Sequence, residues 1–315
     1  MAYTVLKVQK QTNRTSQIGK VMKQYWQYYI LLLPALLYFA IFCYGPMYGV
    51  QIAFKDFLAR GGIWGSEWVG FEHFTRFFNS HYSGTLIKNT FIISAYSLIV
   101  GFPLPILLAL GLNEIKNGKF KKSVQTVTYA PYFISVVVMC GMIISFLSPT
   151  TGIINKVIEL FGGDPIRFLS QEKWFRSVYV FSGIWQGTGW GSIIYLAALS
   201  GVDPQLHEAA TLDGASRVQR LWYVNIPHIA PTMIIMLILS AGSVLSVGYE
   251  KIYLLQNSLN AGVSEVISTY VYKVGLVSGQ YSFSTAVGLF NSIINLILLA
   301  IVNWIAKRIS DTSLW

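Results

Sequence analysis

The sequence is short of charge. Only 11% of its 315 residues are Asp, Glu, Lys or Arg, against about 25% in an ordinary soluble domain, while 54% are hydrophobic and the mean hydropathy is +0.52. So few charges cannot coat so much apolar material in water, which points to lipid as the solvent. Acidic residues are scarcer than basic ones, 13 against 23, for a net charge of +10. Cysteine occurs twice, at Cys43 and Cys140, both inside apolar stretches. That pattern suits small buried side chains better than a disulfide framework.

The marks of chemistry are missing too. The nearest approach to a phosphate-binding loop, GLNEIKNGKF at 111–120, has six residues between its glycines where the motif needs four. Phe120 also stands where a Ser or Thr would hold magnesium. His73, His81, His207 and His228 show no metal-ligand spacing, and no serine sits in a nucleophile elbow. No basic stripe with interleaved aromatics points to nucleic acid.

What is present is a set of apolar runs, each near the roughly 17–25 residues that cross a hydrocarbon core. They cover 28–50, 86–112, 124–147, 178–199, 229–249 and 285–305. None carries an acidic or basic residue in its interior, Lys88 lying at an edge. The first run is full length, follows a polar tail and lacks a small-residue cleavage pattern, so it reads as a retained span rather than a signal peptide. The expected fold is an all-α integral membrane protein with six transmembrane helices. Six spans put both termini on one side. That side carries 13 basic and 5 acidic residues, the other 10 and 8, so the basic excess makes the termini cytoplasmic.

The titratable groups that a proton relay needs at depth are absent from the run interiors, which argues against proton-coupled transport. A sodium site built from backbone carbonyls would leave no such trace. The fourth run contains SGIWQGTGWGS, with Gly183, Gly187, Gly189 and Gly191 beside Trp185, Gln186 and Trp190. Glycine permits close approach or local unwinding, and Trp with an amide suits a sugar ring and its hydroxyls. Helix packing through small residues is the competing reading. Ser243, Ser246 and Tyr249 in run five, and Asn291 and Asn295 in run six, serve equally as path lining or interhelical glue.

Between runs four and five lies EAATLDGASRVQRLWYVNIP, residues 208–227. Asp203-Pro204 is a helix start, an Asp cap with proline at the first helical position. A helix is expected over 204–213, ended by Gly214, with a second short helix over 215–224 before Pro227 and Pro231 open run five. Leu206, Ala209, Ala210 and Asp213 fall on one side of the first helix, a shallow apolar surface able to enter a groove on another protein.

These residues resemble the EAA loop of permease subunits in binding-protein-dependent ABC importers: EAA, three residues, G, nine residues, I, one residue, LP. Glu208-Ala209-Ala210, Gly214 and Pro227 match in register, with Val224 for Ile and Ile226 for Leu. LLLPALLYFAIFCYGPMYGVQIAF, FPLPILLALGLNEI, YLAALSGVDPQLHEAATLDGAS and TAVGLFNSIINLIL extend the likeness to the maltose-type carbohydrate permeases. Among these the sequence looks closest to the branch serving pectin-derived oligosaccharides and alginate.

The resemblance implies a cytoplasmic tail over 1–27, a permease domain over 28–315 and a coupling loop over 203–227. It implies a bacterial inner-membrane protein working with a second homologous permease, two ATPase subunits that bind the ATP and magnesium, and an external solute-binding protein. In it Glu208 pairs a basic residue of the ATPase and Gly214 sets the bend, while Gly183, Gln186, Gly187, Trp190, Ser243, Ser246 and Tyr249 occupy sugar-contacting positions. With no basic residue inside a run to select a uronate, recognition of charge is expected of the binding protein. The alternatives are a self-sufficient carrier or channel and, less suited still, a membrane-embedded enzyme.

Overall fold

A computed structural model describes residues 24–310, 313 and 314. Most of the expected tail, residues 1–23, lies outside the described residues. Among the described residues the regular structure is helical except for a two-stranded antiparallel hairpin, β1 (Lys55–Asp56) and β2 (Glu67–Trp68). Helix α1 (Trp26–Phe54) is apolar and packs by its tight last turns, 48–54; its first half buries no residue. After α2 (Glu72–Phe78) comes α3 (Ser83–Glu114), with Pro103 and Pro105 opening its second half.

The third apolar run is not one straight span. It divides into α4 (Gly118–Phe133) and α5 (Val136–Phe146), bent by 101°. Ile134 and Ser135 turn extended, and the Ser135 hydroxyl accepts the Val138 N–H at 3.4 Å to start the new helix. Then follow α6 (Ile153–Leu160) and α7 (Glu172–Leu199), the 28-residue helix carrying SGIWQGTGWGS. Among the described residues, four helices are long and apolar enough to cross a membrane, α1, α3, α9 (Arg217–Gly242) and α12 (Tyr281–Ile309), or five if the bent α4–α5 pair is one span. The glycines, Gln186 and Thr188 leave α7 less apolar than these despite its length.

Helix α7 is nevertheless the hub. It packs on both halves of α3, on α4 and its closing turn, and on α9 (Arg217–Gly242). Glycine makes this closeness possible: a Cβ at Gly189 would overlap the Thr128 carbonyl, and one at Gly191 would press on the Pro105 ring at 3.2 Å. The stretch stays helical, so Gly189 and Gly191 serve close approach and not unwinding. Ile106, Leu110, Tyr195, Leu199 and Ile229 form the core around one end of α7, and Ile93, Met139, Cys140 and Phe175 that around the other. Both cysteines are free, Cys140 fully buried.

The fifth run stops early. Helix α9 ends at Gly242, where a Cβ would collide with Leu299, and residues 243–248 are irregular before α10 (Tyr249–Leu255). Side chains of α12 (Tyr281–Ile309) take over the lost helical hydrogen bonds: Asn295 Oδ1 accepts the Leu245 N–H at 3.0 Å, and Asn291 donates to the Leu245 carbonyl at 3.3 Å. The two asparagines are therefore glue for this segment. Between α10 and α12, α11 (Ile267–Tyr272) is tied down by Lys273, which pairs with Glu265 at 2.7 Å.

Candidate functional site

Two features gather the residues singled out in the sequence. The first is the bend between α7 and α9. Asp203 caps α8 (Pro204–Leu212) by accepting the Gln205 N–H at 2.9 Å. At its far end Gly214 takes a left-handed backbone, φ +75°, which lets the Ala215 N–H reach the Ala210 carbonyl at 2.9 Å and the Gly214 N–H reach Thr211 at 3.1 Å. This double closure is the standard glycine stop of a helix.

Ser216 then starts α9 through a reciprocal cap: its hydroxyl accepts the Gln219 N–H, and the Gln219 side chain accepts the Ser216 N–H at 2.7 Å. Arg220 reaches back to the Thr211 hydroxyl and pins the two helices together. The short second helix expected over 215–224 is instead the first turns of α9, which runs on through a widened turn at 221–225. That π turn relieves the clash Pro227 would otherwise impose on the preceding turn.

The bend is presented outward. Glu208, Ala209, Asp213 and Gly214 are exposed, Ala210 half-buried, and no residue of α8 is buried. Leu212 is 89% and Tyr223 79% exposed, an apolar surface on a segment braced by its own hydrogen bonds. Glu208 forms no ion pair within the described residues.

The second feature is a pair of adjoining cavities beside α7, each of about 430 Å³, joined through Ser97, Gly101, Pro105 and Tyr179. Volumes of about 300–1,000 Å³ are usual for small-molecule sites. Gly183, Gln186 and Gly187 border one cavity, Ser243 and Ser246 the other. A Cβ at Gly187 would meet nothing within 4 Å, so that glycine leaves open space and not a packing contact. The Gln186 amide is partly committed, donating to the Ile134 carbonyl at 2.8 Å where α4 breaks into α5. Ser246 is held by Asn295 Nδ2 at 3.0 Å.

Two expected members lie elsewhere. Trp190 borders neither cavity and stacks on Tyr132, with ring centroids 4.6 Å apart and planes 5° from parallel. Its position on the helix turns it toward the end of α4. Tyr249 opens α10 and stacks on Tyr272 at 5.0 Å, bordering a separate cavity of about 680 Å³ against α11 and α12.

Among the cavity residues that escaped the sequence reading, three matter most here. Ser94, whose hydroxyl is buried without a partner, and Ser97 come from α3, where a three-residue spacing puts both on one face. Lys251 comes from α10, all but the first residue of which lies beyond the fifth apolar run. It borders the same cavity as Gly183, Gln186 and Gly187.

Comparison with known proteins identifies the family. Residues 101–311 match the family described as binding-protein-dependent transport system inner membrane component. Protein LplB of Bacillus subtilis (strain 168) is 46% identical over 287 residues, covering 91% of this chain and 90% of LplB. The polygalacturonan/rhamnogalacturonan transport system permease protein YteP of the same organism is 44% identical, covering 97% of this chain and 95% of its own. A chain in the crystal structure of a bacterial ABC transporter that imports the acidic polysaccharide alginate superposes with a TM-score of 0.86 at 41% identity. It covers 93% of this chain and 99% of its own length. By family match, identity and fold alike, this chain belongs to the inner membrane components of binding-protein-dependent transport systems, as a permease of a sugar ABC importer.

Proposed function

We propose that the chain is one of two homologous permeases in an ATP-driven importer of acidic oligosaccharides, such as alginate or pectin fragments. The observation that carries this reading is one helix, α7, that borders two sugar-sized, hydroxyl-lined cavities and leads directly into the exposed, glycine-bent segment 203–227. A displacement applied at the bend reaches the cavities without crossing a flexible linker. The choice of an acidic sugar rests on the relatives, YteP by its name and the alginate importer by its described substrate.

In this reading the chain crosses the inner membrane six times, with α7 and the α4–α5 pair as spans and both termini cytoplasmic. Glu208, Ala209, Ala210, Asp213 and Gly214 dock into a cleft on one of two ATPase subunits, Glu208 pairing a basic residue there. ATP and magnesium are held by those subunits. An external binding protein delivers the sugar, as a neighbouring solved complex with a periplasmic protein carrying an alginate pentasaccharide illustrates for its own system. Gly183, Gln186, Gly187, Ser243 and Ser246 then line this chain's half of the path. Gln186 also braces the broken helix, and Trp190 and Tyr249 shape the walls from outside the paired cavities.

The test is reconstitution of the chain with its partner permease, ATPase and binding protein in liposomes. ATP-dependent accumulation of an oligouronate is expected. Uptake by the purified chain alone without ATP would instead identify a self-sufficient carrier, and no oligosaccharide uptake by the full complex would overturn the assignment.

A further inference from the structure

The two cavities are lined by hydroxyls, glycines and apolar groups, with one cation among them. Lys251 Nζ donates to the Tyr179 carbonyl at 2.7 Å and lies 4.4 Å from the centre of the Tyr179 ring. Gly183, one helical turn along α7 from Tyr179, makes its room: a Cβ there would stand 3.1 Å from Nζ. The backbone under Lys251 is held by core neighbours, Ile252 and Leu255 being buried with Met139 and Cys140. No carboxylate stands within ion-pair distance of Lys251 among the described residues, and Glu250 beside it is exposed.

An ammonium has three donors. One is spent on the Tyr179 carbonyl and the ring takes part of the charge, which leaves donors over on a group that borders the cavity, with no counter-ion among the cavity's lining residues. Removing a cation from bulk water without an anionic partner is costly. A neutral sugar needs only hydrogen bonds, which the surrounding serines and Gln186 can supply. A carboxylate needs a positive charge, and a single charge-assisted hydrogen bond is strong enough to select yet weak enough to release a passing substrate.

We propose that Lys251 is the residue by which this chain recognises the carboxylate of a uronate sugar within the membrane component itself. This rests on the reading of the chain as an acidic-oligosaccharide permease. It adds a charge-selecting step inside the path to whatever selection the binding protein makes. Gly183 acts with it as a positioning residue that keeps the ammonium against Tyr179.

The experiment uses the complete reconstituted complex and two probes of equal chain length, trigalacturonate and its fully methyl-esterified form. Lys251→Gln keeps a donor for the Tyr179 carbonyl but loses the charge; it should lower uptake of the acid about tenfold or more and leave ester uptake at the wild-type level. Lys251→Arg should restore uptake of the acid. Gly183→Ala, which displaces the ammonium without removing it, should lower acid uptake selectively as well. Equal loss of both probes in Lys251→Gln, or an unchanged acid uptake, would overturn the assignment and leave the permease reading standing. If the wild-type complex carries the ester too slowly to measure, the acid alone decides, and failure of Lys251→Arg to restore its uptake counts against the proposal. Failure of the wild-type complex to carry trigalacturonate removes the acidic-substrate reading and this inference together.

Discussion

Gly189 of α7 lies flat against the carbonyl of Thr128 in α4, so close that no side chain fits between them. The contact joins the helix that borders the cavities to the broken pair α4–α5. Gly189→Ala must therefore push the helices apart, at a cost of about 1–3 kcal/mol or more, read as a lower thermal midpoint of the detergent-solubilised complex. Gly187→Ala, two residues away but facing open space, should leave that midpoint unchanged. Equal effects of the two would contradict the packing described.

The bend at 203–227 should behave as a docking element. In the proposed docking, Glu208→Ala would remove one partner of an interfacial charge pair, for which truncation costs about 2–5 kcal/mol, so the ATPase should be retained at least about tenfold less well on co-purification while membrane insertion persists. Gly214→Asp places a side chain on a left-handed backbone, costing about 1–2 kcal/mol, and adds a charge at the exposed surface. It should uncouple uptake from ATP hydrolysis. Normal uptake in both variants would count heavily against the docking role.

The reciprocal cap at Ser216 can be tested separately from the docking surface. Ser216→Ala should cost about 0.5–2 kcal/mol of local stability. Amide hydrogen exchange should quicken at residues 217–220 and leave the middle of α9 unaltered, because the cap satisfies only the first turn.

Asn295→Ala strands the buried Leu245 N–H and releases the Ser246 hydroxyl, a loss of about 1–3 kcal/mol. The segment 243–248 should loosen where it walls the cavity. Sugar uptake should fall while ATPase binding stays at the wild-type level; a loss of ATPase binding would show that the segment supports the bend instead.

Several elements were legible without coordinates because their causes are local. Apolar length identified the helices α1, α3, α9 and α12, and Asp203-Pro204 with Gly214 marked both ends of α8, since a cap and a left-handed stop depend only on neighbouring backbone. The resemblance carried by EAA…G…P and by four longer stretches pointed to the family that the comparisons show. Continuous apolarity, however, cannot distinguish one straight helix from two meeting at an angle. The break at Ile134–Ser135 depends on Gln186 of another helix, and the stop at Gly242 on Leu299, Asn291 and Asn295.

The sequence by itself determined the apolar surroundings, the helical class and the glycine-ended helix within 203–227, because hydrophobic length and helix termini are written in consecutive residues. Only the tertiary structure decided what borders the cavities. It turned Trp190 away onto Tyr132, brought Ser94 and Ser97 in from α3, and carried Lys251 from outside the apolar runs to the face of Gly183. A cavity wall is assembled from residues far apart in the chain, and side-chain direction there is set by the rotation and close packing of whole helices, which no local pattern records.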